Sequence, residues 1–166
     1  MPMLKWLWLS GLVIALDQVS KWLAEQFLPP GQPVPVLSFF NLTLLYNTGA
    51  AFSFLAQAGG WQRWFFLLLS LTISVALVIW LGRLQHGQTL LAIALSLILG
   101  GAVGNLIDRV VHGHVVDFIQ LYYQRWYWPA FNVADSAITV GAILLVLDNL
   151  YGNRRRTARS THQEGI

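Results

Sequence analysis

VVDFIQLYYQRWYWPAFNVADS, Val115 to Ser136, is the stretch whose reading decides the fold. It holds two aspartates, Asp117 and Asp135, in a chain of which only 10 % is charged. An ordinary soluble domain is about 25 % charged. Between the two lie Tyr122, Tyr123, Trp126, Tyr127 and Trp128, a belt of the aromatic type that settles at membrane surfaces. The remainder of the chain reads as a scaffold that brings the two carboxylates face to face.

The 166 residues are 56 % hydrophobic. Trp64 to Leu81 and Thr89 to Ile107 contain no charged residue. Runs of about 18–20 apolar residues cross the roughly 30 Å of a bilayer as helices, whereas core helices are usually shorter. There is no cysteine, so thiol nucleophiles, disulfides and cysteine-bound zinc are excluded. The net charge of +3 does not point to nucleic acid, because the basic residues flank the apolar runs as membrane anchors do. The expected fold class is an all-α polytopic membrane protein. It has four transmembrane helices and a small extracytoplasmic β element between the first two.

The first span is expected over residues 6–27. Lys5 and the run after it resemble a signal peptide, but no small-residue cleavage site follows, and Asp17 and Lys21 interrupt the run. It reads as a retained helix. Asp17 and Lys21 are four apart and share a helical face. Inside a membrane they must pair or face a polar cavity. Pro29, Pro30, Pro33 and Pro35 end this helix, and residues 28–62 carry no charge. Val36 to Leu55 is rich in β-branched and aromatic residues and reads as a β platform at the membrane surface, within residues 34–60. Asn47-Thr48-Gly49-Ala50-Ala51-Phe52 lies inside it. On its own residues it is either a plain turn or a place for close backbone approach. Gly49, Gly59 and Gly60 are candidate pivots of a lid.

The second span is expected over residues 64–81, with Arg83 and a solvated His86 in the loop after it. The third is expected over 89–110. Gly100 and Gly104 form a small-xxx-small pair that lets helices pack closely. Asn105 and Arg109 follow on one face, with Asp108 beside them, as a structural network or as part of a site. His112 and His114 raise a metal, but no further ligand has a suitable spacing and no metal is expected. After a loop over 111–128, the fourth span is expected over 129–151, starting at Pro129 as a first-turn proline. Asn132, Asp135, Ser136 and Thr139 fall near one of its faces. The basic end, residues 152–166, carries Arg154, Arg155, Arg156 and Arg159.

Four spans put both termini on one side, with Lys5, Arg83 and the arginine tail, which marks that side as cytoplasmic. Asp135 then lies about six residues, or roughly 9 Å, inside the outer end of the fourth helix. Asp117 follows the outer end of the third, at a similar depth. Two close carboxylates cannot easily both ionise, so the pair holds one proton and titrates as a unit. Such a pair can activate water against a carbonyl. Proton-coupled transport and structural packing of protonated acids stay open on the residues alone.

Five motifs in order resemble lipoprotein signal peptidase (signal peptidase II), a family of bacterial inner-membrane aspartyl proteases. They are Asp17-Gln18-Val19-Ser20-Lys21, Asn47 to Phe52, Gly100 to Arg109, Val115-Val116-Asp117-Phe118, and Phe131-Asn132-Val133-Ala134-Asp135. The resemblance covers almost the whole chain. It implies that Asp117 and Asp135 are the catalytic dyad. It implies that Asn47, Gly49, Asn105, Asp108, Arg109, Asn132 and Ala134 bind substrate or support the site, with Asp17 and Lys21 behind them. No cofactor is implied. The implied substrates are prolipoproteins with a lipobox, cut just before a cysteine that already carries diacylglycerol. Membrane lipids and globomycin-type inhibitors are the other implied partners. The implied location is the inner membrane, with the site near the periplasmic face.

Overall fold

The computed structural model describes residues 3–49 and 61–163; the side chains of residues 62 and 151–163 are not described. Ala50, Ala51 and Phe52 of the second motif, and the candidate pivots Gly59 and Gly60, lie outside the described residues. A short 3-10 turn, Leu4–Trp6, leads into α1, Leu7–Phe27. Strands β1, Val34–Leu37, and β2, Phe40–Asn47, follow. Next come α2, Trp61–Arg83, and α3, Thr89–Val111. Strands β3, Val115–Tyr123, and β4, Trp126–Tyr127, lead to α4, Val133–Gln163.

Helix α1 is apolar on the outside and turns its polar residues inward. The buried residues of α1 are Ser10, Val13, Asp17, Lys21 and Ala24, which recur at three- and four-residue spacing along one face. Leu12, Leu16, Val19, Trp22 and Phe27 are exposed. Water would reverse this pattern; hydrocarbon favours it. Among the described residues, Arg63–Arg83, Thr89–Val111 and Val133–Leu150 are long and apolar enough to cross a membrane. Helix α1 falls short of that composition, because Asp17, Gln18 and Lys21 dilute its apolar run.

Helix α3 lies at the centre, packed against α1, α2 and α4. Its glycines set the spacing. A Cβ on Gly100 would lie 2.7 Å from the Val13 Cβ, and one on Gly101 would collide with the Ala134 carbonyl oxygen. A Cβ on Gly104 would press on the Asp17 carboxylate at 2.6 Å. From the α4 side, Gly141 meets the Ala94 carbonyl oxygen in the same way, at 2.7 Å. Close backbone approach replaces the missing hydrophobic drive between helices in lipid.

The chain is mostly helical, with a small sheet that draws on more of the sequence than the expected segment between α1 and α2. Four strands form one antiparallel sheet in the order β1-β2-β3-β4, and two of them come from the connection between α3 and α4. The stretch 111–128, expected as a loop, is mostly strand. Its β-branched and aromatic residues pair with β2, Leu45 opposite Asp117 and Asn47 opposite Val115. That pairing satisfies backbone groups that would otherwise be buried unpaired. The aromatic belt forms the β3–β4 hairpin, turned at Gln124 with φ 54° and Arg125. Leu44, Val116 and Phe118 pack with Ala24 of α1, which seats the sheet on the bundle.

Helix α4 begins at Val133, four residues after the expected start at Pro129. The reason is a competing use of the backbone. The Phe131 N–H donates to the Ile119 carbonyl at 2.9 Å, and the Ile119 N–H donates back at 2.9 Å. Phe131 is thereby stitched to β3 and cannot enter the helix. At its other end α4 continues to Gln163, through much of the stretch read as a tail.

Gly101→Ala is expected to lower the thermal unfolding midpoint in detergent, at a cost of about 1–3 kcal/mol from overpacking. Gly11→Ala, whose Cβ would meet nothing within 4 Å, is the control and should cause no loss. Equal midpoints for the two variants would contradict the close packing.

Candidate active site

Asp117 stands on β3 and Asp135 is the third residue of α4, so it lies two residues rather than six past the start of its helix. The Phe131–Ile119 stitch brings the two elements together, and Asn132 joins their carboxyl groups. Its side-chain Nδ2 donates to the Asp117 Oδ1 at 2.8 Å, and its backbone N–H donates to the Asp135 Oδ2 at 3.3 Å. The Asn132 Oδ1 in turn accepts the Asp135 N–H at 2.9 Å. Asn132 and Asp135 thus form a reciprocal capping box, which satisfies N–H groups that a helix start leaves unpaired.

Two more asparagines point at the pair. Asn47 Nδ2 donates to the Asp117 Oδ2 at 3.1 Å, while its Oδ1 accepts the Gly49 N–H at 3.0 Å. Asn105 Nδ2 donates to the Asp135 Oδ1 at 2.8 Å. All four carboxyl oxygens therefore receive a protein donor. Among the described residues, no lysine or arginine forms an ion pair with either carboxyl group.

Asp117 is only 3 % exposed. Burial, and next the charge of Asp135, push its carboxyl up to about 7 from the usual 3.8, against the pull of the Asn47 and Asn132 donors. Burial disfavours the charged form, and a second carboxylate adds to that.

Behind the pair lies a buried cluster. Lys21 Nζ contacts the Asp17 Oδ2 at 2.7 Å and the Asp108 Oδ2 at 2.8 Å. It also donates to the Asn105 Oδ1 at 2.9 Å. The two acids also tie down other elements. Asp17 Oδ1 accepts the Ala134 N–H at 2.8 Å, and Asp108 Oδ2 accepts the Val116 N–H at 3.1 Å. Each N–H belongs to a residue next to a member of the pair. Arg109 donates to the Asn105 carbonyl and to the Gly49 carbonyl, both at 3.2 Å. Its guanidinium lies 5.4 Å from the centre of the Phe66 ring, within cation–π range.

The sequence-derived residues thus converge: Asp117, Asp135, Asn47, Gly49, Asn105, Asp108, Arg109, Asn132, Ala134, Asp17 and Lys21 form one connected network. Ser136 and Thr139 bond back to the Asn132 and Asp135 carbonyls, at 2.9 and 2.8 Å. His112 and His114 stand apart, His114 at 4.6 Å from the Tyr46 ring. Among the described residues no three His, Cys, Asp or Glu side chains are placed to hold a metal.

Two residues of the network had no role in the sequence reading. Gln18 Nε2 donates to the Asp108 Oδ1 at 2.8 Å; its place in the first motif marked it without giving it a role. Arg63 closes the end of α3, donating to the Arg109 and Val110 carbonyls at 3.1 and 3.0 Å. No local signal marks that contact, which lies 46 residues away in sequence.

The carboxyl pair opens on a cavity of about 630 Å³, whose wall includes Asn47, Asn105, Arg109, Phe131, Ile138 and Val140. A second cavity, of about 480 Å³, adjoins Asp117 on the sheet side and is lined by Tyr46, Gln120 and Tyr127. Both share the Trp128-Pro129-Ala130 wall.

Fold and site together define a multi-pass membrane protein with a buried, amide-held carboxyl pair beside a largely apolar cavity. Residues 9–151 match the family described as signal peptidase (SPase) II. The chain is 61 % identical over 147 residues to a lipoprotein signal peptidase of Pseudomonas syringae pv. tomato, covering 87 % of this chain and 85 % of the relative. It is 55 % identical over 155 residues to one of Acinetobacter baumannii, covering 93 % and 88 %. A bacterial membrane enzyme structure obtained by the in meso method superposes with a TM-score of 0.80 at 33 % identity, covering 90 % of this chain and 89 % of that one. A second gives 0.75 at 33 % identity, covering 88 % and 92 %. The chain belongs to the signal peptidase II family, the lipoprotein signal peptidases of bacterial membranes, and is a protease.

Asn132→Ala removes the cap of α4 and one of the two donors to Asp117. Stability is expected to fall by about 1–2 kcal/mol. The Asp117 titration, followed by infrared spectroscopy, is expected to move above about 7, because a donor that favours the charged form is lost. A downward move would contradict the assignment of that bond.

Proposed function

We propose that this chain removes signal peptides from diacylglyceryl-modified prolipoproteins as an aspartic endopeptidase, cutting just before the lipidated cysteine. Asp117 and Asp135 are the working pair. The observation that carries the reading is Asn132, which bonds both carboxyl groups while amides rather than cations supply every other donor to them. A cation would fix both acids as ions; amide donors leave room for one proton to be held. One member takes a proton from water as the oxygen attacks the peptide carbonyl, and the other protonates the carbonyl oxygen. The buried surroundings strengthen both steps by excluding bulk water.

The substrate class follows from the family and suits the setting. A signal peptide is itself an apolar helix held in the bilayer, and the larger cavity has apolar walls from α4. We read α1 as a fourth span, with both termini cytoplasmic and the sheet at the outer face of the inner membrane. Asn47, Gly49, Asn105, Asp108, Arg109, Asn132 and Ala134 line or brace the substrate path, and Asp17 and Lys21 support them. Globomycin-type inhibitors occupy the same cavity in this reading. Proton-coupled transport is disfavoured, because the polar network gathers at the sheet end of the bundle and α2 offers few polar groups.

Asp117→Asn and Asp135→Asn, made singly, should each reduce cleavage of a lipidated prolipoprotein by at least about 10³-fold, as loss of a group essential to the chemistry does. Both variants should still insert and fold. Near-normal turnover by either would remove that residue from the pair. Chelators should leave cleavage unchanged.

The pH dependence follows from Asp117. Its proton is held up to about 7 in the folded chain, against 3.8 ordinarily. Folding therefore takes up a proton between these values, and this group's contribution to stability falls as pH rises through that window. Turnover is expected to fall as pH rises through about 7, when the pair loses its proton. A rate still rising well above that pH would contradict the reading.

A further inference from the structure

The two carboxyl groups of the pair are not held alike, and the difference traces to Lys21. An ammonium has three donors and no acceptor. All three of Lys21 are engaged, on Asp17 at 2.7 Å, Asp108 at 2.8 Å and the Asn105 Oδ1 at 2.9 Å. Asn105 must therefore turn its oxygen toward Lys21. Its oxygen also accepts the Asn132 Nδ2 at 3.2 Å. The Asn105 NH₂ group is left with one direction, toward Asp135, and donates there at 2.8 Å. A cation on the oxygen of an amide polarises its N–H groups, so this donor favours a charged acceptor.

Asp135 has a second reason to carry charge. It is the third residue of α4 and accepts the Asn132 N–H as the acid of the capping box. A helix start favours an anion in its first turn. Asp117 has neither feature. It stands on a strand, and its donors, Asn47 and Asn132, are neutral amides whose oxygens accept the Gly49 and Asp135 backbone N–H groups. The charged groups that bear on the pair are Lys21 and Asp17 from α1 and Arg109 from α3, with Asp108 of α3 paired to Lys21.

We propose that Lys21, acting through Asn105, assigns the roles within the pair: Asp135 is the ionised carboxylate that takes the proton from water, and Asp117 holds the shared proton and gives it to the carbonyl oxygen. The inference rests on the aspartic reading above. In the first step a water O–H bond breaks, its proton goes to Asp135, and the oxygen bonds to the carbonyl carbon. The carbonyl π electrons move to its oxygen, which takes the proton from Asp117. In the second step the C–N bond breaks, and nitrogen takes the proton from Asp135. A hydroxyl of the tetrahedral intermediate returns a proton to Asp117. The cycle closes with no net change in the protein. Lys21 touches no reacting atom; it is a positioning residue.

The test reads the protonated-carboxyl stretch by infrared difference spectroscopy between pH 5 and 6. Purified full-length chain in detergent is compared with Asp117→Asn and Asp135→Asn. The protonated band should vanish in Asp117→Asn and persist in Asp135→Asn; the opposite pattern overturns the role assignment. Lys21 is tested in the double variant Asp17→Asn with Lys21→Met, which keeps the cluster's net charge at −1 because one positive and one negative charge are removed together. There kcat should fall about 100-fold, the order seen when one oriented donor is lost, with KM within about threefold. Adding Asp117→Asn to this double variant should restore a protonated band, now on Asp135. Unchanged kcat, or no band, overturns the role of Lys21.

Should the double variant fail to insert, Asn105→Asp replaces it. It keeps the size and the Lys21 contact but offers Asp135 an oxygen in place of a donor. Turnover at pH 7 should fall about 100-fold and recover as pH is lowered; wild-type turnover at pH 7 overturns the proposal. Turnover retained by both single Asn variants would instead remove the aspartic reading itself, whatever the spectra show.

Discussion

Asn132 is the residue on which the arrangement depends. It is the last position before α4 and the first after the backbone stitch between Phe131 and Ile119. Its backbone and side chain each hold one carboxyl group of the pair, and its own oxygen caps the helix. A strand and a helix that approach from different directions are thus locked at one point. Among the described residues neither buried acid has an ion pair, the condition under which two acids can hold one proton between them.

The buried cluster of Lys21, Asp17 and Asp108 serves that lock from behind. One cation facing two anions inside a membrane bundle is costly to assemble, and losing the cation alone would cost about 3–5 kcal/mol by stranding two carboxylates. Its value lies in what else the two acids accept. Asp17 receives the Ala134 N–H and Asp108 receives the Val116 N–H. Each acid therefore fixes the residue just before one member of the pair. Gly104 makes this possible by leaving the Asp17 carboxylate room beside α3. The small-residue stripe and the polar cluster are one packing solution, in which helices approach closely enough for short side chains to reach across.

Much of this was legible in the sequence, for physical reasons that separate the successes from the corrections. Long uncharged runs can hardly be anything but apolar helices, so α2 and α3 were readable. Asp17 and Lys21 marked the inward face of α1 because charge in such a run must turn away from lipid. Asp117 and Asp135 stood out as charges in an apolar chain, but counting helical rise from Pro129 set Asp135 four residues too far into its helix. The sheet was legible only in its β2 half. Strand β3 is buried along its first four residues, so it shows no clean alternation, and its partner lies about 70 residues earlier. The start of α4 was misread because Pro129 is a favourable first-turn residue, while the backbone of Phe131 is claimed by a non-local strand. The amide orientations of Asn47, Asn105 and Asn132 could not be read at all. Each depends on what its oxygen faces, and for Asn105 that is a lysine 84 residues away.

The central claim is that two acids held by amides split the peptide bond with water directly. Single-turnover cleavage of a diacylglyceryl-modified prolipoprotein by the purified chain, quenched at successive times and followed by intact mass, tests it most directly. The account predicts two products, a released signal peptide and a chain beginning at the lipidated cysteine, with the enzyme mass unchanged at every time. An enzyme mass raised by the signal peptide at any time would show a covalent intermediate and contradict the account.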